Sequence, residues 1–140
     1  LLHQLKYNIL HRNPEDEGLI RQAAKNGSGL IVFSPLAQGL LTDRYLNGIP
    51  AGSRASRDFS LKKDSLTPEL LEKLEKLNHI AGERGQTLAQ MALAWVLRDS
   101  MVTSVIVGAS SIEQLDNNLL RIRNTRFSDE EIELINVLTR

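Results

Sequence analysis

Cysteine is absent from the 140 residues, which removes disulfides, thiolate metal ligands and a cysteine nucleophile. A reducing compartment suits such a composition, and a cytoplasmic location is the expectation. Aromatic residues are scarce, at 4%. The single tryptophan, Trp95, stands inside an apolar run and reads as core. Neither sign of charge dominates: 17 Lys and Arg balance 17 Asp and Glu. Bulk attraction to nucleic acid or to an anionic membrane is therefore not expected, although a local cluster still suffices to hold a small anion. The histidines, His3, His11 and His79, are scattered without the spacing of metal ligands, so no metal site is expected. No apolar run approaches the roughly 20 residues of a membrane-spanning helix.

What remains is a 41% hydrophobic chain that alternates short apolar runs with amphipathic stretches, the pattern of an α/β fold. Residues 1–10 read as a strand end followed by a loop through Arg12-Asn13-Pro14. A helix is predicted over Glu15–Asn26, closed by Gly27, with Glu15, Asp16 and Glu17 as acids of its first turn. Gly29–Phe33 reads as a buried parallel strand. From Ser34 to Leu66 runs a long segment rich in Gly, Pro, Ser and Arg, with a short helical turn near Leu40–Tyr45. A loop of that length in a compact domain is usually functional.

Thr67 and Pro68 open the next helix as N-cap and first residue, with Leu70, Leu74, Leu77 and Ala81 on one face and Gly85 at its end. Thr87 and Gln90 form a capping box ahead of a helix so apolar that burial between layers is expected. A second buried strand is predicted at Ser104–Val107. The following helix has Ser111 and Gln114 in capping-box spacing. The last starts at Ser128, with Glu131 as box partner and Ile132, Ile135 and Leu138 as its apolar stripe.

Two strand-to-loop junctions carry the chemical interest, because parallel α/β folds bind ligands beyond the C-terminal ends of their strands. In the first, Phe33 offers a ring face, Ser34 a hydroxyl, and the backbone around Leu36–Gly39 a set of N–H groups for phosphate oxygens. A strand end with a proline turn is the plain alternative. At the second, Gly108 permits close approach, and Ser110 and Ser111 stand at a helix N-terminus, where an anion is favoured. Serine is also an ordinary N-cap. Gln114, Asn117 and Asn118 share a helix face by spacing, facing either an adenine or ribose phosphate, or solvent. Arg44, Arg54 and Arg57 in the long loop carry guanidinium groups suited to phosphate. Tyr7 and Tyr45 are proton donors in principle, without a nameable acid-base partner.

The run from Phe33-Ser34-Pro35-Leu36-Ala37-Gln38-Gly39-Leu40-Leu41 to Tyr45 resembles the seventh-strand motif of the aldo-keto reductases. Val107-Gly108-Ala109-Ser110 with Glu113-Gln114-Leu115 and Asn117-Asn118-Leu119 resembles their eighth-strand motif. Gln4-Leu5-Lys6-Tyr7-Asn8 looks like their sixth-strand segment. Gly48-Ile49-Pro50 with Ser53-Arg54 is similar to the branch of bacterial L-glyceraldehyde 3-phosphate reductases and voltage-gated potassium channel β subunits. The resemblance covers essentially the whole chain.

It implies a fold: the C-terminal portion of a (β/α)8 TIM barrel, about strands 6 to 8 with their helices. A full barrel takes roughly 250 residues, so residues 1–140 are expected to form part of one domain whose N-terminal half lies outside them. It also implies NADPH as cofactor and a small aldehyde or ketone as substrate. The regulatory alternative is a non-catalytic NADP(H)-binding subunit like the channel β subunits. A homo-oligomer is left open. By resemblance, Gln4 would bond the nicotinamide carboxamide and Phe33 would stack on the nicotinamide ring. Ser34, Pro35, Leu36, Ala37 and Gly39 would line the pyrophosphate, with charge from Arg44 and Arg54. Gly108, Ser110 and Gln114 would hold the 2′-phosphate end, and Asn117 and Asn118 would approach the adenine. Asn117 departs from the family's usual Glu, and Arg44 from a frequent Lys. No residue matches the family's Asp, Tyr, Lys and His tetrad, so no catalytic residue is assigned, and the chain alone is expected to be inactive.

Overall fold

A computed structural model describes residues 1–48, 51, 65–120, 122 and 124–140. Three strands, β1 (Leu2–Lys6), β2 (Gly29–Phe33) and β3 (Val102–Val105), pair in parallel in the order β1-β2-β3. Strand alternation sorts their side chains onto two faces. Leu30 and Val32 of β2 are buried, and Leu5, Val102 and Val105 pack on the same core. Gln4, Lys6, Ile31 and Phe33 are paired across the register on the other face, where Gln4, Lys6 and Phe33 are exposed. That second face is uncovered by any helix among the described residues.

The helices all serve the first face. The sequence predicts one helix over Glu15–Asn26, but two form instead: α1 (Asn13–Asp16) and α2 (Leu19–Lys25). Gly18 between them takes a left-handed φ of 72°, which no continuing helix tolerates. Further on come α3 (Pro68–Glu83), α4 (Leu88–Leu97), α5 (Ile112–Leu119) and α6 (Asp129–Thr139). Thr67 caps α3 with Pro68 behind it. The boxes Thr87/Gln90 and Ser128/Glu131 both close reciprocally, so these starts were legible from local chemistry. Every residue of α4 from Leu88 to Val96 is buried, because this helix is wedged between β3, α3 and α5. A Leu93→Ala cut there would cost about 2–5 kcal/mol.

The third strand forms at Val102–Val105 rather than Ser104–Val107. Leu30 N–H bonds Met101 O at 3.2 Å, which starts pairing two residues early. A register shift between Leu30 and Ile31 then absorbs one residue of β3. Within the long segment after β2, the chain makes two 3₁₀ turns, Ala37–Gly39 and Asp43–Tyr45, where a single helical turn near Leu40–Tyr45 is predicted. No helix of the described residues is long and apolar enough to cross a membrane.

Around Glu15 the elements are tied by charge. Arg12 (Nε and Nη2), Arg98 and Arg140 reach its carboxylate at 2.6–3.1 Å, and the Tyr7 hydroxyl donates to it. Burial alone would raise the Glu15 pKa, but the Tyr7 and Arg12 bonds outweigh it and lower the carboxyl to about 2. Burial, first of all, pushes the Tyr7 hydroxyl above its usual range. Tyr7 is fully buried, and its hydroxyl is taken up by Glu15 and Arg98.

Candidate functional site

Beyond the C-terminal ends of β2 and β3 lies a cleft of about 410 Å³, within the range of small-ligand sites. The loop after β2 forms one wall with Ser34, Pro35, Leu36, Gln38, Gly39, Thr42 and Arg44. Ile106–Ser110 and Gln114, leading into α5, form the other. Of the sequence-predicted residues, Ser34, Pro35, Leu36, Gly39, Arg44, Gly108, Ser110 and Gln114 meet here. Gln38, Thr42, Ile106, Val107 and Ala109 join them. These five were missed as site residues, although all but Ile106 stand inside the motif strings.

The first wall is built from unusual backbone. Ser34, Ala37 and Gln38 take φ of 54°, 48° and 61°, a region that costs L-residues energy and clusters at functional sites. The resulting turn folds back on itself: Ala37 N–H bonds Ser34 O at 3.1 Å, while Gly39 and Leu41 N–H both bond Leu36 O. The amides of Ala37 and Gly39 are satisfied within the turn, which removes these two from the expected phosphate donors. Thr42 fixes the wall's far end, since its Oγ1 donates to Gly39 O at 2.7 Å and accepts from Arg44 N at 3.2 Å. The Gln38 side-chain oxygen is buried with no hydrogen-bond partner among the described residues.

The second wall ends in the cap of α5. Ser111 Oγ accepts from Gln114 N at 3.1 Å. The reciprocal half of the predicted box goes elsewhere: Gln114 Oε1 accepts from the N–H and the hydroxyl of Ser110, at 2.8 and 2.9 Å. Gly108 borders the cleft, and a Cβ built on it would meet nothing within 4 Å. The space beside it is open.

Other predicted residues lie apart. Gln4 and Phe33 sit on the open face of the sheet, outside the cleft lining. Ala37 lines a second cavity of about 180 Å³ with Lys6, Asn8, Leu10, His11, Gln38 and Leu40. Asn117 and Asn118 do not act as one face with Gln114. Asn117 is exposed and its carbonyl accepts from Gln90. Asn118 turns inward, 6% exposed, and its amide nitrogen has no partner among the described residues. The 100° step of a helix separates neighbours that spacing alone groups together. Arg54 and Arg57 fall outside the described residues. Tyr45 is buried against Leu40 and Leu66. Among the described residues no cluster of three His, Asp or Glu side chains is placed to hold a metal.

Comparison with known proteins agrees with this architecture. L-glyceraldehyde 3-phosphate reductase of Escherichia coli O157:H7 is 49% identical over 140 residues, covering 96% of this chain and 40% of that protein. A putative voltage-gated potassium channel subunit beta of Schizosaccharomyces pombe is 40% identical over 120 residues, covering 83% of this chain and 35% of its own. The holo structure of an aldo-keto reductase from Bacillus halodurans superposes with a TM-score of 0.73 at 28% identity, over 100% of this chain and 43% of that one. The chain thus spans about 40% of the length of the bacterial reductase it matches. Its parallel strands and flanking helices are the C-terminal portion of a (β/α)8 barrel. The family model for the Aldo/keto reductase family matches residues 1–140 without a gap at either end, and the chain belongs to that family.

Proposed function

We propose that this chain supplies the cofactor-binding part of an NADPH-dependent reductase acting on a small aldehyde or ketone. One observation carries the reading: the strained turn after β2 and the serine-capped start of α5 converge on a single cleft at the C-terminal edge of the sheet. The residues present fit a dinucleotide. Gln38, whose buried side-chain oxygen has no partner among the described residues, lines the cleft, and the open space beside Gly108 leaves room for a ligand.

In this reading Ser34, Pro35, Leu36 and Gly39 shape the pyrophosphate wall, with Ala37 completing the turn behind it. Arg44 contributes positive charge, joined by Arg54. Ser110 and Gln114, beside Gly108, receive the 2′-phosphate end. A phosphate oxygen there takes the place of the Gln114 oxygen as acceptor for both Ser110 donors, and releases the Gln114 amide to the ligand. Gln4 and Phe33, on the open face, address the nicotinamide. The buried Asn118 amide and the neighbouring Asn117 lie nearest the adenine. Bound NADPH supplies hydride to a carbonyl carbon. The accompanying proton comes from the family tetrad, which has no counterpart in these 140 residues, so the chain alone binds weakly and does not turn over.

The test is a titration of the full-length gene product with NADPH and with NADH, followed by assay on small aldehydes. Tighter NADPH binding with turnover supports the reading. Binding without turnover shifts it to a non-catalytic NADP(H)-binding subunit, and the Schizosaccharomyces pombe relative carries the name of a potassium channel subunit beta. Equal affinity for both nucleotides removes the 2′-phosphate assignment.

A further inference from the structure

Asn8 sits two residues beyond the last paired residue of β1, on a different loop from the cleft, and does not line it. Its side chain is nonetheless where the sheet's hydrogen bonding continues. Past the Lys6–Phe33 pair, the Tyr7 amide still reaches Phe33 O at 3.5 Å. At the next step β2 has left the strand region, since Ser34 has turned left-handed. The Ser34 carbonyl finds no strand backbone opposite it and takes the Asn8 Nδ2 at 2.8 Å instead.

Asn8 is well fixed for this. Its backbone exchanges two hydrogen bonds with His11, at 3.3 and 3.0 Å. Its Oδ1 accepts from Leu10 N at 3.0 Å. The amide orientation follows, because only one placement of O and N satisfies both Leu10 N–H and Ser34 C=O. The residue is 1% exposed, so water does not replace it. Ser34 O also accepts from Ala37 N, and rotating Ser34 to a relaxed, negative φ would swing this carbonyl away from both donors. The unfavourable backbone is therefore held by a partner on another strand's loop, as strained functional turns require.

We propose that Asn8 is a positioning residue for the nucleotide cleft: its carboxamide selects the left-handed Ser34 conformation, and through it the shape of the wall from Ser34 to Gly39. The inference rests on the reading of the cleft as an NADPH site. Asn8 touches no ligand. It acts through Ser34, so its loss changes affinity by raising the population of a relaxed turn that does not fit the cofactor.

The experiment compares the wild-type gene product with Asn8→Asp and Asn8→Ser, well below their melting temperatures. Aspartate is isosteric and keeps the Leu10 contact while losing the donor to Ser34. Serine also keeps an acceptor for Leu10 N–H but is too short to span to Ser34, and it serves where aspartate prevents folding. NADPH affinity is expected to fall about tenfold in both, the scale of one lost hydrogen bond. In ligand-free protein, amide exchange at Ala37 should speed up while the Leu10 amide stays protected. In a Ser34→Gly background, where a left-handed φ carries no Cβ penalty, the effect of Asn8→Asp on affinity should shrink. A purely structural Asn8 would lower the melting temperature and leave affinity and Ala37 exchange unchanged, which overturns the proposal. Wild-type protein that binds no NADPH overturns the functional reading itself, and the proposal with it.

Discussion

Arg12 clasps Glu15 from three residues away, with Nε and Nη2 on one carboxylate oxygen at 3.0 and 2.6 Å, while its Nη1 reaches Asn136, 124 residues along the chain, at 2.6 Å. The same carboxylate takes Arg98 from the end of α4 and Arg140 from the end of α6. Arg98 also lies 3.7 Å above the Trp95 ring, which packs on Tyr7 with centroids 5.2 Å apart. One acid thus joins the start of the chain to its last helix. The Tyr7 hydroxyl and the guanidinium groups of Arg12 and Arg140 make the bonds that hold it ionised.

Acid should weaken this junction. The folded carboxyl titrates at about 2, against 4.5 for an ordinary glutamate. A depressed acid stabilises above its unfolded pKa, and that contribution is lost as pH falls from about 4.5 toward about 2. Glu15→Gln should cost about 2–3 kcal/mol at neutral pH by leaving buried guanidinium charge unpaired. The gap should close at the acid end. Urea unfolding of both forms at several pH values reads this, and a gap that is constant from neutral pH to pH near 2 contradicts it.

Gly29 opens β2 against two neighbours. A Cβ there would stand 2.9 Å from the Leu2 side chain and closer still to the Thr103 hydroxyl. Thr103 is β-branched, and its Cβ would also stand 3.4 Å away. Gly29→Ala should therefore destabilise by about 1–3 kcal/mol, and a Thr103→Ala second change should recover part of it. Thermal melts of the single and double variants decide the matter.

Arg84 holds the chain leading into α6. Its guanidinium bonds Glu131 at 2.7 Å and the carbonyls of Asn124 and Arg126 at 3.0 Å, and stacks 3.7 Å from the Phe127 ring. Arg84→Met keeps the packing and removes the donors. A loss of about 2–4 kcal/mol is expected, with α6 exchanging its amides faster than α4. Uniform change across both helices would count against this assignment.

Gly108 separates binding from stability. Its missing Cβ faces open space, so Gly108→Val should leave the melting temperature within a degree or two, roughly the scale of a neutral surface change. The isopropyl group would project into the cleft, and NADPH affinity should fall about tenfold or more. Unchanged affinity would move the ligand away from this wall.

Local chemistry decided much of what the sequence showed. Helix starts at Thr67, Thr87 and Ser128 follow from side chains bonding amides three residues on, an interaction confined to one turn. Gly29–Phe33 announced itself by an apolar run, and the two cleft loops by their motif strings. Other features needed partners far along the chain. The early start of β3 depends on where its partner strand lies, which no window of sequence contains. Ser110 captures the Gln114 oxygen although spacing points to Ser111, because the cap bends the preceding residue over the helix end. Asn118 turns inward while Asn117 turns out, and only the packing of α5 on α4 tells them apart. The sequence by itself determined the α/β class, the helix caps and the two loops that carry the site. Tertiary structure alone decided that those loops share one cleft, and that Asn8, 26 residues before Ser34, holds its wall. The physical reason is that the strained Ser34 carbonyl takes, besides the local Ala37 N–H, a donor that the fold delivers from the loop after another strand.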